Sequence, residues 1–566
     1  MKSARVLTLL VALALIVGAI AWRVGGSGGD GGGGGTPATT DARPPADAIA
    51  VEFAYSPEKA DLLKPLIAEF NASGAEVGGR KVFVTGKVVA SGAGASGIAA
   101  GTLKPQLWSP ASSLWGQVVN HRADANLAPE RSPSLVRTPL VIAMWEPLAR
   151  ALGWPDKPLG WEDVLREAQS KQGWAKYGRP QWGSFKLGHT NPDFSTSGLS
   201  AVVAEYLFAT GKSEGLLLKD VQAPAVREKV RAIERSIVHY GDTTLFFAQQ
   251  LQKNGPAYAS AVAMEEVTVL DYNLKKAGTG PKLAAIYPKE GTFFSDNPLF
   301  VLEGDWSTPE QKEGASKLSE FLRQKVTPEL AARLFFRPGD PAATPSDPVS
   351  TANLVDPRQP TRVLGLPDPE VLNAIQGFWR QDRKPARVQV VLDISGSMNQ
   401  AGKLDGAQQG LLRFLELMQP QDEVGLTVFN GRVTQVTPPL PIRTGRARLR
   451  EAVQEQIADG DTAVYDATLS AAKQVATKAS EDRISAVVVL TDGQDNASTT
   501  RGRDLLAQLE RLAGPEGEGV RVFTIAYGTD ASTRDLEIIA DSGGGKAYVG
   551  DPDTIEAVYT QIASFF

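Results

Sequence analysis

The chain has 566 residues, of which 42% are hydrophobic and 22% charged, and its formal net charge is −5. These values are ordinary for soluble globular domains, of which a chain of this length holds about two to four, and the charge gives no case for nucleic-acid binding. The chain contains no cysteine and three histidines in no ligand-like spacing. This excludes disulfides and thiolate metal sites and argues against a zinc site.

The amino end combines basic residues with a long apolar run. Lys2 and Arg5 precede Val6–Trp22, which is almost entirely apolar. Two interpretations stay open: an uncleaved signal anchor over residues 1–23, which we favour because the run is long, or a signal peptide cut after Ala21. The first predicts a single-pass protein of the cell membrane, with a cytoplasmic amino end and an extracytoplasmic bulk. The second predicts a secreted protein.

Residues 24–47 have the composition of a linker. They contain the glycine run Gly25–Gly35, followed by a stretch of threonine, proline, alanine and aspartate. Such a segment offers too little apolar surface to form a core. It is therefore predicted to be a flexible tether.

Residues 48–340 alternate strand-like and helix-like patterns, which is the order of an α/β fold. The predicted strands are Ile49–Tyr55, Lys81–Ala90, Gln106–Trp108, Arg137–Met144, Trp182–Leu187, Ala261–Thr268 and Leu283–Tyr287. The predicted helices are Pro57–Asn71, Ala95–Thr102, a segment from Ser195 to about Thr210, and Pro309–Phe335, which is divided at Thr327-Pro328.

Polar side chains collect at the predicted helix starts of this region. Ser91 and the run Ser195, Thr196 and Ser197 each stand before a glycine, where free backbone amides favour an anion or a polar oxygen. Helix capping without any ligand is the alternative explanation for these hydroxyls.

The order of the segments SGAG, LWSP, TPLVIAM, GHTNPDFSTSGL and IYPKEGTFFSDNP resembles the bacterial extracellular solute-binding proteins, which have the type 2 periplasmic-binding-protein fold. The resemblance covers residues 48 to about 340. It implies two lobes, with the chain crossing between them near Thr138 and again near Tyr287. It also implies a small-molecule solute in the cleft between the lobes. The residues mapped to that cleft are Ser91, Ser109, Thr138, Asn191, Ser195, Thr196, Ser197, Glu265 and Tyr287.

Two points in this region stay open. Glu265 and Glu266 interrupt the apolar run AVAMEEVTV, so either one of them faces the cleft or both lie at a solvated strand end. The region also holds eight tryptophans, for which core packing is favoured over stacking on a sugar ring.

Residues 341–383 are predicted to be a connection rather than a domain. Proline and aspartate recur up to Leu366, which favours an extended segment. Asp368–Arg380 then carries apolar residues at helical spacing and is predicted to be one helix.

The C-terminal part is organised around Val388–Met398, with the sequence VQVVLDISGSM. Its nearly continuous apolar run is typical of a strand buried on both faces, and open α/β sheets bind ligands just past the carboxyl ends of such strands. Asp393, Ser395 and Ser397 stand at this point and offer hard oxygen ligands that suit a magnesium-type cation. A second such strand, Ser485–Thr491, leads to another carboxylate.

Five residues, in the pattern DxSxS, then Thr, then TDG, resemble the metal-ion-dependent adhesion site of von Willebrand factor A (VWA) domains. They are Asp393, Ser395, Ser397, Thr462 and Asp492. The resemblance covers residues 384–566 and implies a doubly wound, Rossmann-like sheet that binds a divalent cation. Mg²⁺ is the first choice, with Mn²⁺ or Ca²⁺ as alternatives. It further implies that the hydroxyls of Ser395, Ser397 and sometimes Thr462 bind the metal directly and that the two aspartates act largely through water. A Glu or Asp carboxylate of a partner protein would complete the coordination. Asp461 departs from the pattern, because many relatives have glycine there.

The remaining elements of the C-terminal part alternate as an α/β domain requires. The predicted helices are Leu404–Met418, Arg446–Ile457, Thr462–Ala479, Asp504–Leu512, Thr533–Ala540 and Thr554–Phe566. The further predicted strands are Glu423–Asn430, Thr434–Ile442 at an edge, and Val520–Tyr527.

Three functional classes compete. We favour a membrane-tethered extracytoplasmic binding protein, of the kind used in cell adhesion, whose VWA domain binds a protein partner through the metal. The alternative is a solute receptor of an ABC-type transport or sensing system, with the VWA domain as an accessory. We expect no enzyme, because a hydrolytic metal site needs a group that accepts the proton of water, and Asp461 is the only unassigned acid nearby.

Overall fold

The computed structural model describes residues 44–278, 280–514 and 519–566. These residues form a mixed α/β structure with three β-sheets. The strands, numbered along the chain, are β1 Ile49–Tyr55, β2 Glu76–Val77, β3 Arg80–Val88, β4 Leu107–Ser109, β5 Val136–Trp145, β6 Leu187–His189, β7 Ala261–Glu265, β8 Leu283–Ile286, β9 Phe294–Ser295, β10 Phe300–Val301, β11 Arg337–Pro338, β12 Ala386–Asp393, β13 Glu423–Phe429, β14 Val433–Pro441, β15 Ile484–Thr491, β16 Arg521–Tyr527 and β17 Gly544–Gly550.

The first two sheets belong to the N-terminal part. One has the order β10-β4-β1-β3-β2, in which β1 lies parallel to β3 and β4. The other has the order β11-β5-β7-β6, with β8 and β9 also paired to the long strand β5. The α-helices of this part are Ala60–Ser73, Ser91–Ala99, Leu114–Ala123, Glu146–Ala151, Trp161–Ala168, Thr196–Thr210, Leu218–Gln222, Pro224–Glu234, Thr244–Asn254, Glu266–Asp271, Pro309–Lys325 and Pro328–Arg333.

The third sheet has the order β14-β13-β12-β15-β16-β17. All of its neighbours are parallel except the edge pair β13 and β14. The strand order therefore reverses at β12, which is the ligand-binding position of a doubly wound sheet. The α-helices of this part are Lys403–Leu417, Ile442–Gln454, Val464–Ala476, Gly502–Ala513, Thr533–Ser542 and Ile555–Ala563.

A helix over Pro369–Asp382, here called the connecting helix, precedes the third sheet and packs on the N-terminal part. Arg380 in this helix forms a bidentate ion pair with Asp193, with distances of 2.7 and 2.8 Å. Its Gln376 side chain donates to the carbonyl of Pro192 at 2.9 Å and accepts from Arg122 at 3.0 Å. The helix thus contacts segments that follow one strand of each N-terminal sheet, β4 and β6.

The N-terminal and C-terminal parts share one continuous hydrophobic core. The ring of Tyr240 lies 5.0 Å from that of Trp379 in the connecting helix. Phe565, near the end of the chain, lies 5.0 Å from Phe246 and 4.8 Å from Phe523. The two parts therefore pack against each other through apolar side chains.

Polar contacts show which end of the third sheet faces the N-terminal part. Arg521 is the first residue of β16, and its guanidinium lies over the ring of Tyr258 at 5.5 Å. Lys384, two residues before β12, donates its backbone N–H to the hydroxyl of Tyr240 at 3.1 Å. Both contacts lie where the parallel strands begin. The carboxyl ends of these strands lie about 25 Å away along an eight-residue strand.

Some boundaries differ from the sequence-based predictions. The helix predicted to begin at Ala95 begins at Ser91, since SGAG is helical rather than a turn. A side chain at Gly92 would overlap the backbone of Asp193 and Phe194, so the glycine permits a close approach there. The strand predicted to reach Thr268 ends at Glu265, where a helix starts. The glycine-rich strand β17 was not predicted, because its composition is atypical of strands.

The prediction of a single-pass membrane protein is contradicted by the helices that the structure describes. Within residues 44–278, 280–514 and 519–566, no helix is long and apolar enough to cross a membrane. The longest α-helix among these residues, Pro309–Lys325, has 17 residues and carries charged side chains along its length, whereas a span needs about 20 mainly apolar residues. The segment for which a span was predicted, Val6–Trp22, lies outside the described residues, as does Gly25–Gly35.

Candidate metal centre and solute cleft

The carboxyl end of β12 presents the first acidic side chain of the candidate metal centre. Asp393 is its last residue and is fully buried. One carboxylate oxygen, Oδ1, accepts the backbone N–H of Ser395 at 2.7 Å, and the other, Oδ2, accepts the hydroxyl of Thr491 at 2.5 Å. Thr491 ends the neighbouring strand β15. The carboxylate is therefore held in one orientation from two adjacent strand ends.

The two serines connect this strand end to the second acidic residue. Ser395 and Ser397 lie in the turn after β12, with their hydroxyl oxygens 3.1 Å apart. The Ser397 hydroxyl donates to Oδ1 of Asp492 at 2.7 Å. Asp492 follows β15, which runs parallel to β12 in register, so both strands end at the same edge of the sheet. Parallel pairing thus explains why residues 95 positions apart are in contact.

Thr462 comes from a third segment, the loop before the helix Val464–Ala476. The backbone N–H of Gly396 donates to the carbonyl of Gly460 at 2.9 Å, which ties this loop to the serine turn. The backbone N–H of Thr462 donates to the side chain of Asn496 at 2.8 Å. Its hydroxyl lies beside Gly493, where an added Cβ would be 3.4 Å away. We call Asp393, Ser395, Ser397, Thr462 and Asp492 the metal edge.

Two charged residues next to the metal edge, Asp461 and Lys403, differ in their exposure to solvent. Asp461 is exposed. Lys403, which sequence analysis did not single out, is buried and donates to Oδ2 of Asp492 at 2.6 Å and to Oδ2 of Asp530 at 3.2 Å. The sequence could have indicated Lys403 only by its position, ten residues after Asp393 and at the start of a helix. Lys403 occupies one carboxylate oxygen of Asp492 and offsets part of the negative charge at the metal edge.

The electrostatics of the metal edge follow from burial. Burial raises the pKa of Asp393 to about 6, although the hydrogen bonds from Thr491 and Ser395 oppose that shift. Burial lowers the pKa of Lys403, but hydrogen bonding and attraction to Asp492 and Asp530 outweigh this, so its pKa lies above the ordinary value. Lys403 is therefore cationic at neutral pH.

The donor set fits a hard divalent cation. It consists of two carboxylates and three hydroxyls, all oxygen ligands, and it contains no imidazole or thiolate. With Lys403 paired to Asp492, the edge supplies less charge than a closed site for a divalent ion. Such a site leaves the ion able to attract a further anionic oxygen.

The second predicted site is only partly assembled. Five of the nine predicted cleft residues line one cavity: Ser91, Ser195, Thr196, Ser197 and Glu265. This cavity, here called the cleft, measures about 30 Å³, which is room for about two water molecules. Residues that sequence analysis missed complete the lining, and they include Ser56, Glu58, Asp242, Thr243 and Thr244.

The polar groups of the cleft contact one another. The indole of Trp115 donates to the hydroxyl of Thr196 at 2.8 Å. The hydroxyls of Ser195 and Ser197 lie 3.0 Å apart, and the Ser91 hydroxyl accepts from the backbone of Ala111 at 3.0 Å. In this closed arrangement the side chains meet each other's hydrogen-bonding needs.

Glu265 faces the cleft and Glu266 does not, which decides between the two interpretations left open above. Burial raises the pKa of Glu265 to about 7, and Thr244 donates to it at 3.3 Å. Glu266 instead forms an ion pair with Arg337 at 2.6 Å and accepts a hydrogen bond from Tyr287.

The other predicted cleft residues lie away from this cavity. Thr138 accepts the backbone N–H of Val267 at 3.1 Å, and Asn191 accepts that of Asp193 at 2.9 Å, so both have local structural roles. The Tyr287 hydroxyl is bound to Glu266, and Ser109 is fully buried at the end of β4. Their motif positions predicted that they lie at the cleft, but none of the four lines the cavity.

The tryptophans of this part mostly belong to the core, as predicted. Five of the eight are buried: Trp108, Trp115, Trp145, Trp161 and Trp174.

A larger groove of about 540 Å³ lies between the helices Pro309–Lys325 and Pro328–Arg333 and neighbouring loops, and none of the predicted site residues lines it.

Comparison with known families gives two matches. Residues 388–561 match the von Willebrand factor type A domain, and residues 133–355 match the bacterial extracellular solute-binding protein family. The uncharacterized protein sll0103 of Synechocystis is 30% identical over 179 residues, covering 31% of this chain and 40% of that protein. Human inter-alpha-trypsin inhibitor heavy chain H4 is 29% identical over 185 residues, covering 31% and 19%. The chain thus spans less than half the length of these curated relatives.

Solved structures give similar matches at lower identity. A von Willebrand factor type A protein from Catenulispora acidiphila is 22% identical with a TM-score of 0.29, covering 32% of this chain and 42% of that one. BatB from Bacteroides thetaiotaomicron is 20% identical with a TM-score of 0.27, covering 32% and 98%. Residues 388–561 of this chain are a von Willebrand factor type A domain, and residues 133–355 belong to the bacterial extracellular solute-binding family.

Proposed function

We propose that this chain is a binding protein whose VWA domain uses a divalent cation at the metal edge to bind an acidic side chain of a partner protein. The observation that carries the proposal is the hydrogen bond from Ser397 to Asp492, at 2.7 Å, together with the orientation of Asp393 by Thr491 and Ser395. These contacts gather oxygen donors from separate segments at one sheet edge.

Each residue of the metal edge has a distinct part in this proposal. The hydroxyls of Ser395, Ser397 and Thr462 would hold the ion, which supplies an electrophilic centre for an incoming carboxylate. Asp492 orients the Ser397 hydroxyl, Asp393 holds the serine turn through the backbone N–H of Ser395, and both would balance the charge of the ion. Mg²⁺ fits this oxygen-only set best, with Mn²⁺ and Ca²⁺ as alternatives. The proposal includes no catalytic step.

The position of the metal edge supports a partner outside this chain. The N-terminal part contacts the ends of the sheet where the parallel strands begin, through Lys384 and Arg521. The metal edge lies at the opposite ends of the same strands, about 25 Å away. This leaves the metal edge clear of the N-terminal part. The family match over residues 133–355 favours a location outside the cytoplasm.

The second candidate function is a solute receptor for transport or sensing. We propose domain limits of 48–340 and 384–566, with residues 341–383 joining them, and we propose that the two N-terminal sheets are two lobes. The cleft supports this, because its lining residue Thr196 accepts a hydrogen bond from Trp115 at 2.8 Å and Glu265 lines it in a buried position. A solute would replace these mutual contacts as the lobes separate.

Affinity capture tests the proposed partner contact. The chain would be presented with candidate partner proteins in Mg²⁺ and in chelator, beside an Asp393→Ala variant and an Asp461→Ala control. Asp461 is exposed next to Thr462 and is not part of the metal edge, so it controls for a lost acidic residue. We expect capture by the wild type and the control only in Mg²⁺, and no capture by Asp393→Ala. A captured protein should lose binding when its contacting Asp or Glu is replaced by Asn or Gln.

Equal capture by the wild type and Asp393→Ala, or capture that persists in chelator, would remove the metal from the contact. For the second candidate function, a solute that changes the radius of gyration of the wild type and leaves that of a Glu265→Gln variant unchanged would support the receptor role.

A further inference from the structure

A cluster of three ionisable side chains lies inside the solute-binding part, outside both sites described above. His189 ends β6, Glu205 lies in the middle of the helix Thr196–Thr210, and Glu234 ends the helix Pro224–Glu234. All three are at most 1% exposed. One ligand atom of each lies within 4.8 Å of those of the other two. We call these three residues the interior cluster.

The hydrogen bonds of His189 fix which of its ring nitrogens carries the proton. Nδ1 lies 2.7 Å from the carbonyl oxygen of Thr190, which only accepts, so Nδ1 is the protonated nitrogen. In a neutral ring Nε2 then directs a lone pair at Oε1 of Glu234, 3.1 Å away, whereas a doubly protonated ring would form an ion pair there. Two acceptors in this position repel each other unless a proton or a cation lies between them.

Glu234 is held from its other side. Tyr240 donates its hydroxyl to Oε2 of Glu234 at 2.6 Å. Metal-binding histidines usually donate their second nitrogen to a carbonyl, and metal-binding carboxylates are usually hydrogen-bonded in turn. The contacts of His189 with Thr190 and of Glu234 with Tyr240 follow that pattern.

Glu205 supplies the second, independent observation. It is fully buried, and neither of its carboxylate oxygens accepts a hydrogen bond from any residue in the described part of the chain. Burial and the neighbouring charge of Glu234 raise its pKa. A buried carboxylate with no partner is strongly unfavourable, and buried charges are as a rule paired or bound to metal ions.

We propose that His189, Glu205 and Glu234 bind a divalent transition-metal ion of the Zn²⁺ class, which joins β6 to two helices of the solute-binding part. One imidazole and two carboxylates are a ligand set that such ions accept. A tetrahedral ion with bonds of about 2.0–2.1 Å separates its ligand atoms by about 3.3 Å, close to the 3.1 Å between His189 and Glu234. Glu205 would complete the site by a small rotation toward this pair.

The site would be structural. None of its residues lines the cleft, and the cluster is shut off from solvent by its own burial. The sequence argued against zinc because its three histidines have no ligand-like spacing, whereas the ligands proposed here come from three separate elements. The competing explanation is a proton, either between Nε2 of His189 and Glu234 or shared between Glu205 and Glu234, and it predicts no metal at all.

The test uses the full chain carrying Asp393→Ala, which removes the metal edge so that any ion retained reports on the interior cluster. After incubation with Zn²⁺ and dialysis, mass spectrometry of metals should find one ion per chain. Adding Glu205→Gln, which is nearly isosteric, should remove that ion and the rise in melting temperature that Zn²⁺ produces. Glu167→Gln, at another buried glutamate on the helix Trp161–Ala168, should leave both unchanged.

Absence of a retained ion in the Asp393→Ala chain, or equal retention after Glu205→Gln, would overturn the proposal. A second measurement needs no change in the interior cluster. Co²⁺ added to the metal-free Asp393→Ala chain should produce a visible d–d absorption that Zn²⁺ abolishes. A chain that stays colourless would also overturn the proposal. Neither result bears on the proposed function, because the metal edge has been removed from the protein tested.

Discussion

The metal edge and the cleft differ in how well their predicted residues come together. At the metal edge all five predicted side chains meet at one end of one sheet, with Ser397 and Asp492 in direct contact at 2.7 Å. In the cleft five of nine predicted residues line a cavity of about 30 Å³. The first site depends on the register of two parallel strands. The second depends on how two separate sheets approach each other.

This difference has a physical origin. Buried parallel strands such as β12 and β15 pair in one register, because both faces of each strand are covered by the core. The residues that follow the two strands therefore lie close together, because the register of the strand pair fixes their positions. Residues on facing sheets meet only through side-chain contacts such as that of Trp115 with Thr196. Four predicted cleft residues do not line the cavity, so motif positions alone did not predict how the side chains of the two sheets meet.

The largest expected effect concerns the closed arrangement of the cleft. Gly92 donates its backbone N–H to the carbonyl of Phe194 at 2.8 Å, and a Cβ there would overlap the backbone of Asp193. Gly92→Val should therefore lower the free energy of unfolding by about 1–3 kcal/mol through overpacking, and it should open the cleft. Chemical denaturation and small-angle scattering measure the two effects.

Gly377→Ala serves as the control for this change, because nothing lies within 4 Å of the position that its Cβ would occupy in the connecting helix. Its stability should equal or exceed that of the wild type. A Gly92→Val chain with wild-type stability and radius of gyration would show that this close approach does not exist in solution.

The next effect isolates the orientation of Asp393. Thr491→Val keeps the shape of the side chain but removes the hydroxyl that donates to Oδ2 of Asp393 at 2.5 Å. We expect Mg²⁺ affinity to fall about 10–100-fold, the usual effect of losing a group that orients a metal ligand. Thr524→Val, in the adjacent strand β16, removes a hydroxyl that donates to the carbonyl of Leu536 and should leave the affinity unchanged. Equal affinities in both variants would mean that Thr491 does not position the carboxylate.

The pKa of Asp393 gives a pH dependence of known sign. Since burial raises this pKa from 3.8 to about 6, the native protein holds a proton there that the unfolded chain has lost between these values. In the metal-free protein this group's contribution to stability therefore falls as pH rises from about 4 through 6. Mg²⁺ competes with the same proton, so its affinity should fall about tenfold per pH unit below 6 and be level above it. Affinity that is unchanged from pH 5 to 7 would contradict this assignment.

The smallest effect concerns Lys403. Its ammonium group lies 2.6 Å from Oδ2 of Asp492 and opposes a cation at the metal edge. Lys403→Met removes that charge and should strengthen Mg²⁺ binding by about fivefold, roughly 1 kcal/mol, while it weakens the metal-free fold by removing the ion pair at Oδ2 of Asp492. Titration calorimetry and thermal melts in chelator would measure the two opposite changes. Weaker binding would mean that Lys403 chiefly positions Asp492.

Sequence reasoning located the metal edge because its signals are local. An apolar run ending in DxSxS fixes a strand, a turn and three side chains within eleven residues. It missed β17, whose glycines carry no strand signal, and it missed Lys403, whose partner Asp492 is 89 residues away. It also missed the interior cluster, because His189, Glu205 and Glu234 meet only when β6 and two helices pack together.

The central claim is that the side chains of the metal edge bind a divalent cation. Titration calorimetry of the chain with Mg²⁺ tests it directly, beside Asp393→Ala and the exposed control Asp461→Ala. We expect heat with one-site stoichiometry in the wild type and the control, and none in Asp393→Ala. No heat in the wild type with Mg²⁺, Mn²⁺ or Ca²⁺, or the same heat in all three proteins, would contradict it.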